Sequence, residues 1–137
     1  MKALIDTNIV LDVFLNRKPF VDASARIFGL IEQSRVEGVL CATTITTIEY
    51  LLSQALSGPE ARELLWKLLV LFEIAPVNRP VIERALRSRI NDFEDAVLEE
   101  AGQVAGAGMI VTRNLKDFKY ARLKVFDPIQ FLALQQK

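Results

Sequence analysis

A three-layer α/β/α sandwich around a central parallel sheet of four to five strands is the fold this sequence predicts. Short runs that are apolar throughout alternate with amphipathic stretches of 8–17 residues, the pattern of strands covered on both faces by helices. No internal repeat and no Ser/Gly/Pro-rich linker interrupts the 137 residues, so one domain is expected over 1–137. A chain of this length buries about two-thirds of its unfolded surface and needs no staple.

The elements follow in order. Residues 3–5 form a short strand that ends at Asp6. Ile9, Val10, Val13 and Phe14 have helical spacing, and Pro19 marks the loop that follows. Residues 21–37 read as a long helix, with Ala25, Phe28 and Ile31 one turn apart and Gly38 as its stop. Residues 39–42 are a second buried strand. A helix over 46–56 is broken by Ser57-Gly58-Pro59, and another covers 60–71. A strand over 72–77 contains Pro76, which places it at an edge or a strand end. Helices are predicted over 81–88 and 93–105, the second ending in Gly106-Ala107-Gly108. Residues 109–112 are the clearest strand; 124–126 are a last short one, and Pro128 opens a closing helix to residue 134.

Composition removes several chemistries. The chain has no histidine, so it has no His base, no Ser-His-Asp triad and no imidazole metal site. Cys41 is the only cysteine, which excludes a structural zinc site and an intrachain disulfide. Seventeen acids balance 17 bases, which argues against a uniformly basic nucleic-acid coat but allows a local basic rim. Residues 1–5 do not read as a signal peptide, and the most apolar stretch, 64–72, contains Lys67 and is far short of the ~20 residues that span a bilayer. A cytoplasmic protein with a reduced Cys41 and no membrane association is expected.

Parallel sheets bind ligands beyond the carboxyl ends of their strands. Acids and amides gather there. Asp6 follows the first strand; Glu49 lies early in the helix after the second; Asp92, Glu94 and Asp95 open the helix before the clearest strand; Asn114 and Asp117 follow that strand. Taken singly, most of these residues read as helix caps. Thr46 with Glu49, Asp92 with Asp95, and Asn114 with Asp117 all have the i, i+3 spacing of a cap. Taken together they are harder to explain. At ~4 Å and an effective dielectric of ~20, each carboxylate pair costs about 4 kcal/mol, so a cluster persists only when protons or cations neutralise it. With only oxygen ligands on offer, a hard ion such as Mg²⁺ or Mn²⁺ fits. Such an ion can activate water and shield phosphate oxygens during in-line displacement.

The segments A-L-I-D-T-N at 3–8, T-T-I-E-Y at 46–50, N-D-F-E-D-A at 91–96 and I-V-T-R-N-L-K-D-F at 110–118 give the chain a resemblance. It resembles a PIN domain, the metal-dependent ribonuclease fold of VapC-like toxins in bacterial and archaeal toxin–antitoxin pairs. The likeness spans nearly the whole chain. It implies an Mg²⁺-dependent endoribonuclease (Mn²⁺ substituting), with Asp6, Glu49 and Asp95 as metal-binding acids. Asp92 shares that role or caps, and Asn8 and Thr112 support the site. The family's fourth acid usually follows the T-R pair; here Asn114 stands there, and Asp117 is the carboxylate that would replace it. The departure leaves one tightly held ion safer than two, and keeps a non-catalytic nucleic-acid- or protein-binding module on the same scaffold as the alternative.

Arg113 and Lys116 are the basic residues nearest the acids and the candidates for RNA phosphate contacts. Arg17, Lys18 and Arg122 read as solvated charges, and Asp12 as an exposed helix residue or at most a supporting contact. No stretch interleaves aromatic and basic residues as a base-reading module would. The apolar excess over 21–71, including Trp66, serves the core. The resemblance also implies a homodimer face and a groove for an antitoxin segment. Two rival folds lack their marks. A haloacid-dehalogenase-like phosphatase needs Asp where Asn8 stands, and a phospho-acceptor receiver needs an acceptor Asp that neither middle strand supplies.

Overall fold

The computed structural model describes residues 1–136, so Lys137, the last residue of the expected domain, lies outside the described residues. Five strands form one sheet: β1 (Lys2–Ile5), β2 (Glu37–Cys41), β3 (Glu73–Ala75), β4 (Met109–Val111) and β5 (Lys124–Phe126). Every pairing is parallel, and the order is β3-β2-β1-β4-β5. β3 is an edge strand and ends at Ala75, directly before Pro76.

Side chains alternate across β1. Ala3 and Ile5 face a core shared with α1 (Thr7–Phe14), α2 (Val21–Glu32), α3 (Ala42–Ala55), α4 (Gly58–Leu71) and α7 (Pro128–Gln135). Leu4 faces the other core, against α5 (Arg79–Leu86) and α6 (Phe93–Val104). Both faces of the central strands are thus dry, which is why they read as unbroken apolar runs. The two layers are close-packed: a Cβ on Gly102 of α6 would stand 3.0 Å from Leu4 Cδ2.

Four local expectations change. Helix α2 ends at Glu32, well before Gly38, because the chain reverses through Ser34 at φ 58. Gly38 instead lies inside β2, where a Cβ would come within 2.7 Å of Ile31 and Phe72; bare backbone is what lets α2 and Phe72 close over that strand. Helix α3 begins at Ala42, directly after β2, rather than at Thr46. Thr46 therefore caps nothing, and its hydroxyl donates back to the Thr43 carbonyl at 2.9 Å. Finally, residues Leu115–Phe118 form a 3₁₀ turn after β4 that has no periodic signature in sequence. Among the described residues no helix is long and apolar enough to cross a membrane.

Candidate active site

The strand order reverses direction between β1 and β4, and the crevice beyond their carboxyl ends is the switch point of the sheet. Asp6 and Thr112 are the first residues past those two strands. The Asp6 N–H continues the ladder to the Val111 carbonyl at 3.0 Å, and the Thr112 N–H continues it to the Phe126 carbonyl at 2.9 Å. Their side chains are thereby fixed side by side. The buried Thr112 hydroxyl donates to Asp6 Oδ2 at 2.7 Å, and Asp6 Oδ1 accepts from the Thr7 N–H at 2.8 Å at the start of α1. The Thr112 oxygen in turn accepts from the Asn114 N–H at 3.0 Å, which holds the chain as it leaves β4.

Asp6 is buried, and burial is the main cause that pushes its carboxyl above the ordinary aspartate range. The bonds from Thr112 and Thr7 oppose this, the charge of Asp117 adds to it, and that of Arg113 opposes it. Asp95, in the first turn of α6, is half-buried. Burial first, then the charges of Asp6, Asp92, Asp117 and Glu94, push its carboxyl up to about 7. Three segments remote in sequence therefore contribute charge to one neighbourhood, and their mutual repulsion favours the protonated form of its acids.

The other predicted residues divide. Asp92 is a cap: its Oδ1 accepts from the Asp95 N–H at 3.0 Å, while its charge also bears on Asp95. Asp117 is exposed on the 3₁₀ turn and acts on both Asp6 and Asp95. The Asn114–Asp117 spacing does not make a side-chain cap; the Asp117 N–H bonds the Asn114 carbonyl instead, at 3.1 Å. Asn8 is half-buried at the second position of α1. Glu49 is half-buried about two turns into α3, and is not among the charges that shift Asp6 or Asp95.

Asp12 overturns its expectation. It is fully buried, and the Arg113 guanidinium donates to both its oxygens, Nε to Oδ2 at 2.6 Å and Nη2 to Oδ1 at 3.2 Å. Arg17 Nη1 lies 3.8 Å from the same carboxylate, so Arg17 belongs to this group rather than to solvent. Arg113 also sits 3.9 Å from the centroid of the Phe20 ring. Its guanidinium braces the loop after β4, which leaves exposed Lys116 as the freer of the two predicted phosphate contacts. Arg122 is likewise not idle: it pairs with the buried Glu100 of α6, and its N–H, with that of Leu123, bonds the buried Glu99 at 2.8 and 3.0 Å. One signal for Asp12 was present, a lone charge flanked by apolar residues on both sides in Val10-Leu11-Asp12-Val13-Phe14.

The donor set suits a hard divalent cation: it holds only oxygens, and it carries unneutralised negative charge. As the side chains stand, no three acids among the described residues are close enough to enclose an ion. Magnesium does not require that. It is commonly held by one or two carboxylates and completes its shell with water and substrate phosphate.

An all-parallel sheet in this order, with acids gathered at its switch point, is an α/β architecture that places its polar residues where such sheets bind ligands. Residues 2–116 match the PIN domain family, and the chain belongs to that family of nucleases. Its fold is similar to that of a chain of VapBC2 from Rickettsia felis, solved bound to a promoter DNA fragment, at 17% identity and a TM-score of 0.73, over 93% of this chain and 98% of that one. It is also similar to a chain of a toxin–antitoxin complex from Klebsiella pneumoniae, at 23% identity and a TM-score of 0.70, over 92% and 97%. FitAcB from Neisseria gonorrhoeae matches at 20% identity and a TM-score of 0.70, over 93% and 98%. No curated protein matches the chain in sequence.

Proposed function

We propose that this chain is an Mg²⁺-dependent endoribonuclease and the toxin of a toxin–antitoxin pair. The observation that carries the reading is the convergence of Asp6, Asp95 and Asp117, from three remote segments, at the switch point of a PIN-family sheet. Capping acids at a helix start are stabilised as anions, whereas Asp95 is pushed towards neutrality by burial and by the charges of Asp6, Asp92, Asp117 and Glu94. Asp6, with Asp95 and Asp117, would hold the ion. A bound Mg²⁺ supplies an activated water and charge shielding for the scissile phosphate. The chain's own part is to fix Asp6 through Thr112 and Thr7, so that its carboxylate needs no reorientation when a cation arrives.

The partner part of the proposal rests on surface. Tyr50, Trp66, Leu69 and Val70 of α3 and α4 expose large apolar area, which suits a homodimer face or an antitoxin segment. The solved toxin–antitoxin complexes with this fold support an antitoxin as the partner. Asn114 in place of an acid, and a Glu49 whose charge does not figure among those that shift Asp6 and Asp95, favour a second reading, a binding module without catalysis.

The test is cleavage of RNA by the purified protein, free of any partner, with and without Mg²⁺ or Mn²⁺. Metal-dependent cleavage that Asp6→Asn abolishes while the thermal melt is retained is the expected result. Absence of cleavage with either ion would leave the binding-module reading in its place. A Mn²⁺-soaked crystal would count the ions and show whether Asn114, Asp117 or Glu49 reaches them.

A further inference from the structure

Beyond the acids lies a second polar cavity, of about 330 Å³, between the end of α5, the middle of α6 and the loop after the 3₁₀ turn. Arg84, Arg87, Arg89 and Arg122 line it, together with Tyr120 and the two buried glutamates of α6. The glutamates are already satisfied. Glu100 pairs with Arg122, and Glu99 accepts two backbone N–H groups. Arg84, Arg87 and Arg89 are exposed, and among the described residues none has a carboxylate within salt-bridge distance. The α5 dipole accounts for the cations at its C-terminal end, Arg84 in the last turn and Arg87 at the cap, but not for Arg89 beyond them. The cavity is therefore a concave site with surplus positive charge.

It also carries an aromatic platform. The Arg89 guanidinium carbon lies 5.1 Å from the Tyr120 ring centroid, and Lys119 Nζ lies 5.2 Å from the same centroid, while the ring remains 42% exposed. Unpaired cations beside an exposed aromatic face are what a single nucleic-acid strand needs: phosphate contacts, and a surface on which a base stacks. The cavity is tethered to the acids on both sides. Arg89 is three residues from Asp92, and Tyr120 three residues from Asp117, a reach of at most ~10 Å in each case.

We infer that the cavity formed by Arg84, Arg87, Arg89 and Tyr120 is a docking subsite for single-stranded RNA, holding the strand a few nucleotides from the bond at the acid cluster. The inference deepens the ribonuclease reading and rests on it for the identity of the strand. It assigns substrate positioning to the α5–α6 corner.

Binding and cleavage separate the two claims. Anisotropy of a fluorescein-labelled 12-nucleotide mixed-sequence RNA is titrated with the full chain in EDTA, across a range of salt. Parent, the R84A/R87A/R89A triple variant, Tyr120→Ala and Tyr120→Phe are compared, with circular-dichroism melts confirming each fold. The triple variant is expected to bind at least about tenfold more weakly, with a salt slope shallower by ~2, since each phosphate no longer neutralised removes ~0.7. Tyr120→Ala is expected to weaken binding about fivefold or more, and Tyr120→Phe to restore it, because stacking needs the ring and not the hydroxyl. Unchanged affinity and slope in the triple variant overturn the subsite, even if the parent cleaves RNA with Mg²⁺. Conversely, a parent that binds through these residues but never cleaves keeps the subsite and removes the nuclease. If a glutamate-rich peptide of equal charge displaces the RNA, and Tyr120→Ala alters neither ligand, the cavity is a protein-docking site and the RNA assignment fails.

Discussion

Replacing Asp12 with alanine tests whether the loop after β4 is held by a buried ion pair. Asp12 is 0% exposed and accepts two bonds from Arg113, whose side chain is 23% exposed. Breaking a buried pair from one side costs about 3–5 kcal/mol, mostly because the surviving charge is left without a partner. In Asp12→Ala the survivor is Arg113, which has an edge towards water and the Phe20 face beneath it. The low end, about 3 kcal/mol, is therefore expected. In Arg113→Ala the survivor is a carboxylate with no exposure and only Arg17 nearby, at 3.8 Å, so the high end is expected. At ~4 °C per kcal/mol for a chain of this size, Asp12→Ala should melt about 12 °C below the parent.

Urea unfolding followed by circular dichroism measures both variants, and the double variant closes the cycle. Because Arg113 adjoins Thr112, whose hydroxyl bonds Asp6, RNA cleavage should fall along with stability. Should Asp12→Ala stay within ~1 kcal/mol of the parent, or cost more than Arg113→Ala, the pair does not brace the loop.

The other predictions concern charge and space. The Asp95 carboxyl is raised in the folded protein from 3.8 to about 7, so the folded state binds a proton more tightly than the unfolded one. Its contribution to stability is full below pH ~4, falls as pH rises to 7, and is absent above that. Asp95→Asn should accordingly match the parent near pH 4 and exceed it at pH 8 by about 1–2 kcal/mol, after solvent screening of a half-exposed group. A denaturant series across pH reads the difference, and a gain largest at low pH contradicts the assignment. Added Mg²⁺ at pH 8 should raise the melting temperature of the parent but not of Asp95→Asn. Gly38→Ala should cost about 1–3 kcal/mol, because its Cβ would stand 2.7 Å from Ile31 and Phe72. A melt unchanged by Gly38→Ala would show that α2 yields more easily than this packing implies.

What could be read from sequence, and what could not, follows from range. Ala3-Leu4-Ile5 and Met109-Ile110-Val111 are legible as strands because both their faces are covered, so that no polar residue interrupts them. Asp6 is legible for the same reason, as the first polar residue after such a run. The start of α3 is not. Ala42 lacks a capping side chain before it, and the threonines that follow look like a cap further on while they bond their own helix instead. Glu99 and Glu100 look like the solvated side of α6, yet α6 is buried all the way round from Ala96 to Gly102 once α5 and the 119–123 loop close over it. Arg89 and Tyr120 are 31 residues apart, so the aromatic-and-basic pattern missing from any one stretch exists only after folding.

The acids at the switch point present a physical conflict, and its resolution separates caps from functional groups. The two cores drive β1, β4 and α6 together without regard to the charges at their ends, so Asp6, Asp95 and Asp117 are brought into one field by apolar burial elsewhere. Helix N-termini offset part of the repulsion, about 0.3–1 kcal/mol for each acid placed there. The remainder shows as a carboxyl at about 7 in the first turn of α6, where an anion would ordinarily be favoured. Asp92 and Asp95 belong to the same turn, but their removal is expected to change stability in opposite directions. Removing the Asp92 side chain discards a cap bond worth about 1 kcal/mol, whereas neutralising Asp95 relieves repulsion. If Asp95→Asn stabilises the fold as expected, Asp95 is not there for the fold, and the proposed cation is what its charge would meet in a crevice of oxygen donors.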